Sequence, residues 1–311
     1  MEIALSVVIA MAVALAWPAP LALSGARWTE RSPRAALLLW QAIALGGALS
    51  MFGALLGIAF LPLHLPVSTI LNELSGALWR GPLPERWGLL NVGALCTAVL
   101  FGGLLLANSI HTAWVSEIKR RRHRARIDLL SAPLADHEHV RLLDHPAPLA
   151  FCLPGMRNLT VLSSGLIELF DEDEFAAVLA HERAHLRGQH QLVLLAFRAW
   201  HDTLPWFPIA SRAERAVATL TELIADDVAA RSVERSSIAS AIRRVGGSWD
   251  DGLASGQSAA FVTDAATLGP RLARLEQPSN RLGVGARILV GMLSLALVTT
   301  PVLFMVALIS A

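Results

Sequence analysis

Residues 171–190 read DEDEFAAVLAHERAHLRGQH, and this run sets what the rest of the chain must supply. Phe175, Val178, Leu179 and Leu186 recur at helical spacing, so the run predicts an amphipathic helix. Asp171, with Glu174 three residues later, supplies a capping box at its start. On such a helix His181 and His185 stand one turn apart on one face, where two imidazoles reach a single metal ion. Glu182 lies at the margin of that face and is placed to take a proton from an attacking water. The pentapeptide HERAH is therefore read as a zinc-peptidase signature, with Zn2+ as the expected cofactor.

A catalytic zinc site takes a third protein ligand and keeps one position open. The candidate is Glu222 in ATLTELIADDVAAR (residues 218–231), a second helical stretch. Asp226, one turn later on the same face, is expected to orient a ligand by accepting from an imidazole nitrogen, whereas Asp227 is expected in solvent. An acidic pair on a helix is by default a surface feature, and the histidine pair upstream is what changes that reading. His190 does not complete a three-histidine signature, which needs histidine at the position of Gln191. It is expected at the helix end or behind a ligand, and Gly188 is expected to weaken or end the helix.

The rest of the composition belongs to a membrane. The chain has 311 residues, is 54% hydrophobic and carries a net charge of +1, too apolar for an ordinary soluble domain of that size. Four blocks, at about 3–24, 35–61, 89–107 and 288–311, lack Asp, Glu, Lys and Arg and are long enough to span as helices. The first has no basic leading region and another apolar block follows at once, so it is expected to be retained rather than cleaved as a signal. Pro18, Pro20 and Pro301 are expected to kink or shorten their helices. Arg27, Arg31 and Arg34, the run IKRRRHRAR at 118–126, and Arg281 with Arg287 flank the blocks so that all fall on one side. The positive-inside rule makes that side cytoplasmic, with both termini and residues 62–88 outside.

The basic run abuts a span and has no aromatic interleaving, so anionic lipid is its expected partner and direct nucleic-acid binding is not expected. Cys96 falls within a span and Cys152 faces a reducing compartment, which argues against a disulfide. No base is assigned to Cys152 as a nucleophile. PLAFCLPG and LTVLSSG read as two short strands ahead of the zinc helix, and an exposed strand there would bind a peptide by backbone pairing, with Phe151 or Leu153 either forming a pocket or packing the core. Pro205 and Pro208 bracket an aromatic turn containing Trp206 and Phe207, and Trp200 precedes it. His201 is a lone histidine that could stabilise a tetrahedral intermediate, although the default role of such a residue is structural. Further on, Arg271, Arg274 and Glu276 either line an inter-helix surface or, as the default, are solvated charges.

The expected fold is an α-helical membrane protein with four transmembrane helices. A mainly α zincin-like domain with a small β element sits between spans 3 and 4. The division is 1–110 for three spans, 111–287 for a cytoplasmic metallopeptidase domain, and 288–311 for the last span. AFCLPG, TVLSSGLIELFDEDEFAAVLAHERAH and ELIADD together resemble the integral-membrane zinc peptidases of the beta-lactam-sensing antirepressor type, and more distantly the membrane heat-stress and prenyl-protein peptidases. The resemblance implies that His181, His185 and Glu222 bind zinc, that Glu182 activates water, and that Asp226 supports the ligands. It also implies cleavage of a cytoplasmic protein such as a transcriptional repressor. The chain ends after its fourth span, so the extracellular penicillin-binding domain of the antirepressors, and direct beta-lactam sensing, are not expected. Two other functions compete: a proteolytically silent regulator that keeps the fold and binds a partner, and a transporter or receptor. An intact Glu182 argues against the first, and spans nearly devoid of ionisable residues argue against the second.

Overall fold

Four helices among the described residues are long and apolar enough to cross a bilayer: Glu2–Ser24, Pro33–Leu63, Leu89–Ile127 and Val284–Ser310. The structure is a computed structural model that describes residues 1–81, 86–133, 140–146, 150–153, 159–203, 208–247, 265–277 and 282–310. The first span is two helices, α1 (Glu2–Ala16) and α2 (Pro18–Ser24), parted at Trp17 because Pro18 lacks the N–H that would continue the ladder. A short α3 (Trp28–Arg31) leads into α4 (Pro33–Phe60), the central helix of the membrane bundle. A 3-10 turn (Leu61–Leu63) and an amphipathic α5 (Val67–Arg80) follow, so much of the expected outer loop is helical. The third span, α6 (Leu89–Leu130), runs on unbroken for 42 residues. It carries the basic run on the same helix as the apolar block.

Lipid offers no hydrophobic drive between helices, so α4 packs by close approach of small residues. A Cβ at Gly46 would come within 2.5 Å of the Leu297 carbonyl oxygen on the last span, α13 (Val284–Ser310). One at Gly57 would meet Leu5 at 2.6 Å and Phe304 at 2.9 Å. Val8, Ala54, Phe304 and Leu308 form the apolar seam of α1, α4 and α13. Pro301 lies inside α13 without ending it. The outward faces expose Ile3, Leu100, Leu289, Met292 and Leu303, which suits helices that face lipid.

Between α6 and α13 lies a four-stranded sheet of order β1-β2-β4-β3. The strands are β1 (Ser131–Pro133), β2 (Val140–Leu143), β3 (Ala150–Leu153) and β4 (Leu159–Ser163). β2 runs parallel to β4, the other two pairs are antiparallel, and β3 is an edge. The two strands expected from the sequence are β3 and β4; Pro154 and Gly155 lie outside the described residues. Then come α7 (Ser164–Leu169), α8 (Glu172–Gly188), α9 (His190–Thr203), α10 (Pro208–Ala229), α11 (Arg235–Gly247) and α12 (Ala265–Glu276). Leu162, Leu166, Val178, Leu179, Ile238 and Ile242 belong to a core shared by sheet, α8 and α11, which α12 joins through Leu275. A second core, with Leu15, Leu39, Trp40, Phe197, Val217 and Leu220, seats α9 and α10 directly against α1 and α4. Asn108 on α6 adds hydrogen bonds of 2.6 Å to the Ala199 carbonyl and the Thr203 hydroxyl.

Candidate metal centre

The site begins with the start of α8. The Glu174 N–H donates to Asp171 at 2.8 Å, and the Glu174 carboxylate accepts from the Asp171 N–H at 3.3 Å, completing the expected capping box. Glu174 also accepts from the Ser240 hydroxyl and pairs with Arg244 at 3.0 Å, which ties this end of the helix to α11. With that end fixed, the last turns of α8 hold His181 at 0% exposure, Glu182 at 1% and His185 half-buried.

α10 packs against α8 and brings Glu222 to both imidazoles. His181 Nε2 is 3.0 Å from His185 Nε2, and each of those nitrogens is 3.3 Å from a Glu222 oxygen. His181, His185 and Glu222 offer ligand atoms that all lie within 4.8 Å of one another. A tetrahedral ion with bonds of about 2.0–2.1 Å needs donors about 3.3–3.4 Å apart, so this donor set fits zinc in kind and in spacing. Behind the ring, Asp226 lies 2.8 Å from His181 Nδ1, on the opposite side from the shared Nε2 face.

Arg271 on α12 is the residue that sequence reasoning missed. Expected on an inter-helix surface or, by default, in solvent, it is fully buried, with Nε and Nη2 each 2.8 Å from Asp226 and Nη1 3.1 Å from Glu222. The signal was its position beside Leu268, Leu272 and Leu275 on the helix face that packs into the core. Arg274 is likewise not a free surface charge: it pairs with Asp227 at 2.8 Å and donates to the Glu30 carbonyl in the link between the first two spans. Asp227, expected in solvent, is therefore half-buried in that pair. Arg243 pairs with Glu276, and both are exposed as expected of that glutamate.

Three buried carboxylates, Glu182, Glu222 and Asp226, face one buried guanidinium, which leaves two formal negative charges if the imidazoles are neutral. Burial of so much charge is costly without compensation, and a divalent cation supplies it. Without one, protons substitute. Burial lowers the His181 pKa, but hydrogen bonds to Asp226 and Glu222 outweigh that and push it up to about 9. Burial raises the two carboxylates, yet the histidines hold Glu222, and Arg271 with His181 holds Asp226, below the usual carboxylate range. Arg271 is destabilised by burial and held protonated by Asp226, Glu222 and Glu182.

His190 opens α9 after Gln189 ends α8 in a left-handed conformation. Its Nδ1 lies 3.0 Å from His185 Nδ1, and burial followed by the neighbouring His185 lowers its pKa to about 4, so it is neutral at pH 7. His201 is eleven residues further along α9, about 16 Å at helical rise, and does not join the cluster. Trp200 packs in the α9/α10 core against Phe197, while Trp206 and Phe207 lie outside the described residues.

Comparison with known families gives a match to peptidase family M48 over residues 112–210. The match takes in the end of α6, the sheet, α8 and α9, and so His181, Glu182 and His185, and it stops short of Glu222 on α10. It does not single out the antirepressor type. No curated protein matches the chain.

Proposed function

We propose that this membrane metallopeptidase is a zinc-dependent endopeptidase that cleaves a cytoplasmic or membrane-proximal protein. The observation that carries the reading is the convergence of two imidazoles from α8 and one carboxylate from α10 at tetrahedral spacing, with a buried carboxylate, Glu182, on the same helix. His181, His185 and Glu222 would hold the ion. The ion, when bound there, would supply a lowered pKa for water and polarisation of the scissile carbonyl. Glu182 takes the proton of the attacking water and hands it to the departing amine. Asp226 accepts from His181 Nδ1 and keeps that ring's other nitrogen turned toward the ion. Arg271 offsets the carboxylates' mutual repulsion so that α10 and α12 close over α8.

The edge strand β3 packs beside α8, which supports backbone pairing of an extended peptide next to the metal. The second core seats α9 and α10 on the ends of spans 1 and 2, which favours substrates close to the bilayer. Basic residues beside the spans favour residues 111–287 as a cytoplasmic domain with both termini outside. A transcriptional repressor is one substrate of that kind.

Purified full-length protein and Glu182→Gln, each measured for zinc content and for cleavage of unfolded casein, test the reading. Zinc in both with cleavage lost by about 10²–10⁴-fold in the variant is expected. Equal cleavage by the two proteins would remove Glu182 from the mechanism. Zinc without turnover in either would favour the silent, partner-binding alternative.

A further inference from the structure

The end of α8 contains two choices that helix formation does not explain. Gly188 is the last helical residue, with no positive φ to require glycine, and a glycine inside a helix is destabilising relative to alanine. The next residue, Gln189, takes the left-handed conformation at φ 49°, where glycine is preferred. Glycine therefore stands one position away from where backbone conformation calls for it.

Space explains it. A Cβ at Gly188 would lie 2.3 Å from His190 Nε2 and 2.6 Å from its Cδ2, so only glycine leaves room for that imidazole. The ring so admitted is buried, stands edge-on to His185 with centroids 4.8 Å apart, and aims Nδ1 at His185 Nδ1 from 3.0 Å. His185 turns its other nitrogen, Nε2, to His181 and Glu222. A ring whose Nε2 lone pair is offered to an ion carries its proton on Nδ1, and that N–H needs an acceptor.

We propose that His190 is a positioning residue of the metal centre: its Nδ1 accepts the Nδ1–H of His185, fixing the tautomer and tilt that present Nε2 to the ion, and Gly188 is glycine to admit it. The two histidine ligands are then supported from behind by different groups, His181 by Asp226 and His185 by a second imidazole. The proposal rests on the reading of His185 as a ligand.

Three variants of the full-length protein test it: His190→Leu, which keeps bulk and removes the acceptor; His190→Asn, whose side-chain oxygen falls near the position of Nδ1; and Gly188→Ala, which displaces the ring without altering it. The readouts are zinc affinity by chelator competition and the visible spectrum of the cobalt-substituted protein, with kcat and KM alongside. Loss of a partner of this kind costs about 10–100-fold in metal affinity. His190→Leu and Gly188→Ala are expected to lose that much, to alter the cobalt bands, and to lower kcat more than they raise KM. His190→Asn is expected to stay within about threefold of wild type, as the retained acceptor predicts. Wild-type affinity and spectrum in His190→Leu would overturn the proposal, and so would an Asn variant as weak as the Leu variant. Failure of wild-type protein to bind metal would instead sink the ligand assignment, and this proposal with it.

Discussion

At the scale of residues, the centre is an excess of buried negative charge held in check by one arginine and two imidazoles, in a cluster able to take a cation. Arg271→Met is expected to lower stability by about 3–5 kcal/mol, because it strands Asp226 and Glu222 as buried charges, and thermal unfolding of the apoprotein measures it. Glu222→Ala is expected to abolish stoichiometric zinc binding while His181 and His185 remain, which metal analysis after dialysis reads directly. The proton balance has a definite sign. His181, raised to about 9 from an unfolded value near 6.5, stabilises the apoprotein fully below about pH 6.5 and loses that contribution as pH rises through about 9. Glu222 and Asp226, held low, stabilise above the ordinary carboxylate range and lose it as pH falls through their depressed values. Zinc must displace the His181 proton, so calorimetric titration at pH 7.5 in buffers of different ionisation heat is expected to show release of about one proton, vanishing above about pH 10. That His181 and His185 share a face of one helix, and Glu222 and Asp226 a face of another, was legible because helical spacing is local information; that the two faces meet, as His181, His185 and Glu222 do, rested on the need for a third ligand and on the family resemblance. Arg271 was not legible, because its partner Asp226 lies 45 residues away and a lone arginine reads as solvated until the packing of α12 is known.

At the scale of elements, the same contrast recurs. The apolar blocks and the capped zinc helix announce themselves by length and period, and β3 and β4 by their flanking turns. β1 and β2 do not: one is three residues ending in proline and the other four, too short for alternation to register, and only pairing with β1 and β4 makes β2 a strand. α5 was hidden by the expectation of a loop, although Ile70 on its inner face is fully buried with Leu63 and Trp87. The third span's end could not be read from hydropathy, since α6 carries its helix unbroken through the charge run to Leu130. The close approach of α4 to α13 gives an element-level prediction. Gly46→Ala drives a Cβ into the Leu297 carbonyl and is expected to cost about 1–3 kcal/mol. Gly103→Ala on α6, where nothing lies within 4 Å, is expected to be neutral or slightly stabilising. Melting curves of the two variants in one detergent compare them.

At the scale of the whole molecule, the metal helices are not a domain tethered at a distance from the spans. α9 and α10 share a core with α1 and α4, and Arg274 bonds the link between spans 1 and 2 while its neighbour one turn back, Arg271, holds Glu222, the proposed ligand. In the proposed topology, the basic flanks of the spans put the centre on the cytoplasmic side. Single cysteines introduced at Arg122 and Ser310, in a protein lacking Cys96 and Cys152, test that orientation. The reading predicts that an impermeant maleimide labels position 310 in intact cells and position 122 only after permeabilisation; the reverse pattern would place the centre outside. The central claim is more local, that one zinc ion is held by two histidines of α8 and one glutamate of α10. X-ray absorption at the zinc edge of the metal-loaded protein tests it most directly. The account predicts a four-coordinate ion with two imidazole nitrogens at about 2.0–2.1 Å, oxygen at about 2.0–2.2 Å and no sulfur. A sulfur shell, a third imidazole, or a spectrum unchanged in Glu222→Ala would contradict it.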